Sequence, residues 1–213
     1  MTEIPYNPDE IIAKFDKEKL LPIYFNLLLK ENEKIYLVSR ETATGGFINS
    51  DGSPQNLKEL AAESLLPLTK IEIIKDARYL DIGSGGGFPS IPIILTQNLI
   101  NASLIERTQK KAAALRRMLL ALKKRADIHP VSFEDFKSEE SSFDLITLRL
   151  VKLTKPILSR ILSLLNHKGT FIYYSDSDLE FDDKNYKIDE YIFSTTSNPS
   201  NRYTIIKREF KTL

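Results

Sequence analysis

The sequence predicts an α/β fold: a mostly parallel sheet flanked by helices, an antiparallel C-terminal strand pair, and a helical N-terminal extension. Three observations carry this. From Arg78 to Tyr174, strand-like apolar runs alternate with helix-length segments, the rhythm of parallel strands joined by crossover helices. Beyond Ser175 two strand-like runs, 186–193 and 202–209, follow with no helix between them. Such a pair must be antiparallel, because a parallel partner needs a crossover. Before residue 76 the apolar residues follow helical spacing.

Taken in order, Asn7-Pro8-Asp9-Glu10 is a helix start: Asn7 caps, Pro8 takes the first turn and Glu10 reaches back. Pro22 opens a second helix. Residues 39–54 are rich in Gly, Pro, Ser, Thr and Asn and form a long loop of the kind that is more often functional or mobile than idle. Helical spacing returns over 55–74, with Pro67 weakening or ending that helix. Residues 1–75 are therefore expected to be a helical extension packed on a second unit, 76–213. In that unit the expected strands are 78–82, 102–106, 127–131, 143–150 and 169–174. The helices between them are 89–98, 108–124 and 155–166. Residues 176–190 are acid-rich, as befits a solvated segment.

The 213 residues suit one sizeable domain with a decoration. Thirty basic and 29 acidic residues leave a net charge of +1, so any case for nucleic acid rests on local patches. The absence of cysteine excludes disulfides, thiolate zinc sites and a cysteine nucleophile. No apolar run approaches the roughly 20 residues of a membrane span, and the polar, acidic start is unlike a secretory signal. A cytoplasmic protein without membrane attachment is expected. His129 and His167 have no metal-ligand partners at useful spacing, so no metal is expected either.

The chain is organised around Arg78–Ile94. A strand carrying Asp81 runs into Gly83-Ser84-Gly85-Gly86-Gly87 and then a helix. Glycines permit the positive φ values such a tight turn demands, and their missing Cβ atoms let a ligand lie against the backbone. Amides of the loop and helix start are candidates to meet a ligand carboxylate. An ordinary βα turn without ligand uses the same residues. A dinucleotide fingerprint would need glycine at 88, where this chain has Phe88. In an open α/β sheet ligands lie beyond the carboxyl ends of the strands. That places Glu106, at the second strand's end, where a ribose is held, although a carboxylate there also suits a helix start. Phe133 and Glu134 follow the third strand, where an adenine ring would pack. Arg149 ends the fourth strand at the cleft floor. Residues 107–125 carry eight cations and no acid, either a solvated helix face or a phosphate track. No general base is visible, which suits a reaction run by positioning.

An acid, alternate glycines and an acid about 20 residues on resemble the class I S-adenosylmethionine methyltransferases, a Rossmann-like fold whose last strand is antiparallel. Asp81-Ile82-Gly83-Ser84-Gly85-Gly86-Gly87-Phe88-Pro89-Ser90-Ile91-Pro92 is similar to the D-[VI]-G-[ST]-G-x-G-[FL]-P-G-[IL]-P run of the bacterial 16S ribosomal RNA guanine-N7 methyltransferase family, also called glucose-inhibited division protein B. Glu106 with Lys110-Lys111, Glu134-Asp135, Arg149 and the terminal Arg202–Lys207 match further segments of that family. The departures lie at Tyr36 and Val38 (family N-L-T), Leu60 to Ser64 (H-x-x-D-S), Ser132 (arginine of R-A-E) and Ser175-Asp176 (lysine-glycine).

The resemblance implies S-adenosylmethionine as cofactor. It would be held by Asp81, Gly83, Ser84, Gly85, Gly87, Phe88, Glu106, Phe133, Glu134 and Arg149, with Arg149 also on the acceptor side as the catalytic candidate. It implies ribosomal RNA or the small ribosomal subunit as partner, met through the basic helix 107–125, and a chain acting as a monomer. Two rivals are a methyltransferase of a small molecule or protein, and a non-catalytic RNA-binding or assembly module with a vestigial donor site.

Overall fold

The computed structural model describes residues 1–45, 48, 52, 54–97, 99–175, 183–195 and 198–208, with backbone alone at 99 and 100. Parts of the 39–54 loop and most of the acid-rich half of 176–190, Asp176 included, lie outside the described residues. The strands are β1 (Thr2–Glu3), β2 (Ala77–Ile82), β3 (Leu99–Ile105), β4 (Asp127–His129), β5 (Phe143–Arg149), β6 (Leu165–Tyr174), β7 (Tyr186–Phe193) and β8 (Asn201–Arg208). The helices are α1 (Pro8–Phe15), α2 (Leu21–Asn32), α3 (Arg40–Thr44), α4 (Gln55–Leu65), α5 (Ser90–Thr96), α6 (Gln109–Ala121) and α7 (Lys155–Leu164).

Among the described residues the strands form one sheet in the order β1-β7-β8-β6-β5-β2-β3-β4. The pairs from β4 to β6 are parallel, whereas β8 runs antiparallel to both β6 and β7. This is the expected fold class. The chain leaves β2 outward through β3 and β4, then returns to β5 on the other side of β2. The switch point therefore lies between β2 and β5, where an α/β sheet opens a crevice.

Side-chain alternation along the strands builds a core on each face. Tyr79, Leu145, Ile172, Tyr203 and Ile205 pack with α1, α2, α4, α5 and α6. Leu80, Ile82, Ile146, Leu148, Phe171 and Ile206 pack with α7, Phe133 and Phe136. The N-terminal helices thus share one continuous core with the sheet. The Asn7 side chain caps α1, accepting from the Asp9 and Glu10 amides, while Glu10 accepts from Asn7 Nδ2 at 3.0 Å.

Beyond shifts of a few residues at the ends of β3, β4, β6 and α7, four features differ from the sequence-based expectation. The helix over 55–74 stops at Leu65 and tightens into a 3-10 turn at Leu66–Thr69; Pro67 has no amide to continue an α-helix. The 39–54 segment contains α3, capped by Ser39 Oγ accepting from the Thr42 amide at 3.0 Å. The basic helix ends at Ala121 rather than 124, and Lys123 takes a left-handed φ of 55° behind it. Strand β1 was not foreseen: its two exposed residues carry no apolar alternation, and only pairing with β7 makes them a strand.

Candidate active site

Register brings the site together. Asp81 on β2 lies beside Thr147 on β5, and Arg149 lies beside Tyr174 on β6. Beyond these strand ends opens a cleft of about 800 Å³. Its wall includes Gly83, Ser84, Gly85, Phe88, Glu106, Phe133, Glu134 and Arg149. Asp81 and Gly87, also expected to hold ligand, are not part of that wall: Asp81 is buried in β2, and Gly87 faces Ile91 and Tyr24.

The glycine loop is fixed from below. The Gly83 and Ser84 amides both donate to the Ile105 carbonyl at 2.9 Å, and the Gly87 amide donates to the Ser84 carbonyl at 2.7 Å. The Gly85 amide donates to Glu106 Oε2 at 2.9 Å. The other oxygen of Glu106 accepts from the Thr108 amide at 2.7 Å. The carboxylate is thus turned into the loop, and each oxygen keeps a second lone pair for a further donor. The amides expected to be free for a ligand are mostly engaged; among the described residues the Gly86 amide makes no such bond.

Gly83, Gly85 and Gly87 all have positive φ (76°, 53° and 100°), as a leucine or alanine would resist. Their surroundings differ. A Cβ on Gly85 would meet only the Gly83 carbonyl at 3.7 Å, so its outer side is open. A Cβ on Gly87 would strike Ile91 and the Tyr24 hydroxyl, and one on Gly86 would strike the Leu37 carbonyl. The N-terminal part therefore clamps the loop. Tyr24 of α2 donates its buried hydroxyl to the Gly86 carbonyl at 2.8 Å, and Leu37, Val38, Ser39, Thr42 and Leu60 complete the cleft wall.

Asp81 is 1% exposed. Its Oδ1 accepts from the Thr147 hydroxyl at 2.6 Å, and Thr147 in turn accepts from the Tyr79 hydroxyl at 2.7 Å. Its Oδ2 has no hydrogen-bond partner. Burial pushes the carboxyl's pKa up; the hydrogen bond from the Thr147 hydroxyl offsets part of that rise. At the end of β5, Arg149 Nη2 donates to Glu63 of α4 at 2.5 Å, and both side chains are mostly buried. The guanidinium also lies over the Tyr174 ring, 5.7 Å from its centre, and Tyr174 donates to the Ser64 carbonyl at 2.7 Å. Phe133 is buried at the cleft with the Arg160 guanidinium 4.7 Å from its ring centre. Glu134 is exposed, its carbonyl accepting from Arg160 at 2.9 Å.

The basic stretch divides. Arg117 makes a two-pronged pair with Glu31 at 3.0 and 2.6 Å, and Arg116 donates to the Ile128 carbonyl at 2.6 Å. Arg107 and Lys111 instead line the cleft, with Lys110 exposed beside them.

Sequence reasoning missed Thr147, Glu63 and Leu150. Thr147 had a signal: two residues before Arg149 on a strand, it shares that residue's face. Glu63 falls on the acidic position of H-x-x-D-S, but its pairing with Arg149 left no signal, because the partner lies 86 positions away. Among the described residues no cluster of three or more His, Cys, Asp or Glu is placed to hold a metal, and no helix is long and apolar enough to cross a membrane.

Comparison with known proteins fits this geometry. The model of a family described as "GidB: rRNA small subunit methyltransferase G" matches residues 17–200. The ribosomal RNA small subunit methyltransferase G of Helicobacter acinonychis is 32% identical over 157 residues, covering 73% of this chain and 84% of that protein. That of Borrelia garinii is 26% identical, covering 79% and 74%. Among solved structures, a tRNA (m1A58) methyltransferase from Aquifex aeolicus superposes with a TM-score of 0.53 at 15% identity, over 70% of this chain and 69% of that one. An rRNA methylase from Streptococcus thermophilus gives 0.52 at 11%, over 65% and 91%. At such identities these two speak for the fold alone. With nearly the whole described domain matched, the chain belongs to the family of the rRNA small subunit methyltransferases G.

Proposed function

We propose that this protein is an S-adenosylmethionine-dependent methyltransferase that modifies N7 of a guanine in small-subunit ribosomal RNA. The observation that carries this reading is the Glu106 carboxylate bonded to the Gly85 amide at the mouth of the switch-point cleft. The residues present fit the cofactor. Bare backbone at Gly85 leaves open space, and a fixed carboxylate stands where ribose hydroxyls need an acceptor. A buried aromatic, Phe133, lines the part expected to take the adenine.

In this reading the backbone of Gly83, Ser84, Gly85 and Phe88 cradles the methionine part, while Gly87, expected to share that task, fixes the turn behind it. Glu106 holds the ribose, and Phe133 with Glu134 holds the adenine. Asp81 orients the loop from beneath. The cofactor, when bound, supplies an electrophilic sulfonium methyl. Guanine N7 offers a lone pair with no proton to remove, so the protein needs no general base. Its work is alignment and exclusion of water. Arg149, aimed by Glu63 and Tyr174, holds the acceptor by an oxygen and favours the transfer geometry. Arg107, Lys110 and Lys111 bind phosphates beside the cleft. The N-terminal 75 residues act as the extension that clamps the donor loop of the 76–213 unit. The protein works as a single chain in the cytoplasm, where its substrate is.

The test has two arms. Calorimetry should detect S-adenosylmethionine binding; no heat at near-millimolar donor would favour the non-catalytic module. Small subunits from a strain lacking the protein should accept label from methyl-tritiated donor. The label should map to a guanine cleaved after borohydride and aniline treatment. Donor binding without labelling of the RNA would point to another acceptor.

A further inference from the structure

Five described non-glycine residues have positive φ: Lys19, Asp76, Lys123, Ser141 and Leu150. Four are polar residues in turns or at element ends. Leu150 is the exception, with φ 56° and 91% of its surface exposed. A leucine in the left-handed region sets its Cβ against its own carbonyl oxygen, and full exposure recovers nothing by burial. Two unfavourable choices thus fall on one residue. Its neighbours make neither: Arg149 is held by Glu63, and Val151 packs so closely on Gly83 that a Cβ there would lie 2.8 Å from Val151 Cγ2.

The place accounts for the cost. Leu150 is the first residue beyond β5 and stands on the cleft wall between Arg149 and Val151. It sits on the acceptor side of the switch point. Uncompensated strain of this kind gathers at functional positions. A base in structured RNA is reached only after it leaves its stack, and an unstacked base needs an apolar or planar surface to lie on. We propose that Leu150 is that surface: the nucleobase entering the cleft packs on its side chain while Arg149 holds it by polar contact. This inference rests on the methyltransferase reading.

The test separates contact from folding. Leu150→Gly and Leu150→Asn suit the left-handed backbone, whereas Leu150→Met keeps an apolar side chain. Thermal unfolding, donor affinity and methylation of unmodified small subunits would be measured for each. The Gly and Asn variants should unfold at the same temperature as the parent or higher and bind donor within twofold of it. Their kcat/KM for RNA should fall at least tenfold, while Leu150→Met keeps a third or more. A kcat/KM within twofold of the parent for Leu150→Gly would overturn the proposal. So would donor affinity falling in step with activity. A parent protein that binds no donor or labels no RNA would instead defeat the functional reading, and this inference with it.

Discussion

Glycines 83, 85 and 87 share a left-handed backbone but answer to different neighbours. Gly85→Ala should cost about 1–2 kcal/mol of stability, the strain of the conformation alone. It should weaken donor binding at least tenfold, because the new methyl faces the open side. Gly87→Ala adds collision with Ile91 and Tyr24, so a loss of roughly 2–4 kcal/mol is expected. Chemical denaturation alongside calorimetry distinguishes the two. Asp81 supplies a pH dependence. Its folded-state pKa lies above the ordinary 3.8, so the native state holds the proton more tightly than the unfolded chain. The stabilisation from the neutral carboxyl is whole below the unfolded value and fades as pH rises through the folded one. Asp81→Asn removes that titration. In the ligand-free protein, the variant should gain stability relative to the parent as pH is raised from about 4 to about 7. A constant difference in urea midpoints across that range would refute it.

Among the elements, α2 and α4 do for the site what the sheet alone does not. Burial holds the Tyr24 phenol neutral, far above its ordinary pKa, so it donates to the Gly86 carbonyl at any working pH. Tyr24→Phe leaves that buried carbonyl unpartnered and should cost about 1–3 kcal/mol, with weaker donor binding as the loop loosens. Helix α4 brings Glu63 to Arg149 in a largely desolvated pair. Removing one partner strands the other. A double-mutant cycle over Glu63→Ala and Arg149→Ala should therefore give a coupling of about 0.5–3 kcal/mol. Glu63→Gln, which still offers an oxygen, should retain more RNA methylation than Glu63→Ala.

For the molecule as a whole, binding to RNA depends on which cations remain free. Arg117 is engaged by Glu31 and Arg116 by a carbonyl, whereas Lys110 and Lys111 stand by the cleft. Replacing either lysine by alanine should lower the slope of log affinity against log salt by roughly 0.7–0.9. Arg117→Ala should leave the slope unchanged and cost about 0.5 kcal/mol of stability, its pair being half-exposed. The same division marks what was legible beforehand. The order of strands and helices, the glycine loop and Glu106 were readable because period, turn chemistry and spacing are local properties. The Glu63–Arg149 pair, the Tyr24 clamp and the Leu37–Val38 wall were not, because each joins residues more than 45 positions apart. The two-residue β1 left no trace in hydropathy, since its strand character belongs to its partner.

That partner arrives late. Thr2 and Glu3 pair with Tyr191 and Ile192, so a segment made early waits for one made much later before it has anywhere to sit. A nascent chain stalled between Tyr174 and Tyr186 would have β1 unpaired and the β6 edge bare, open to proteases and to strands of other chains.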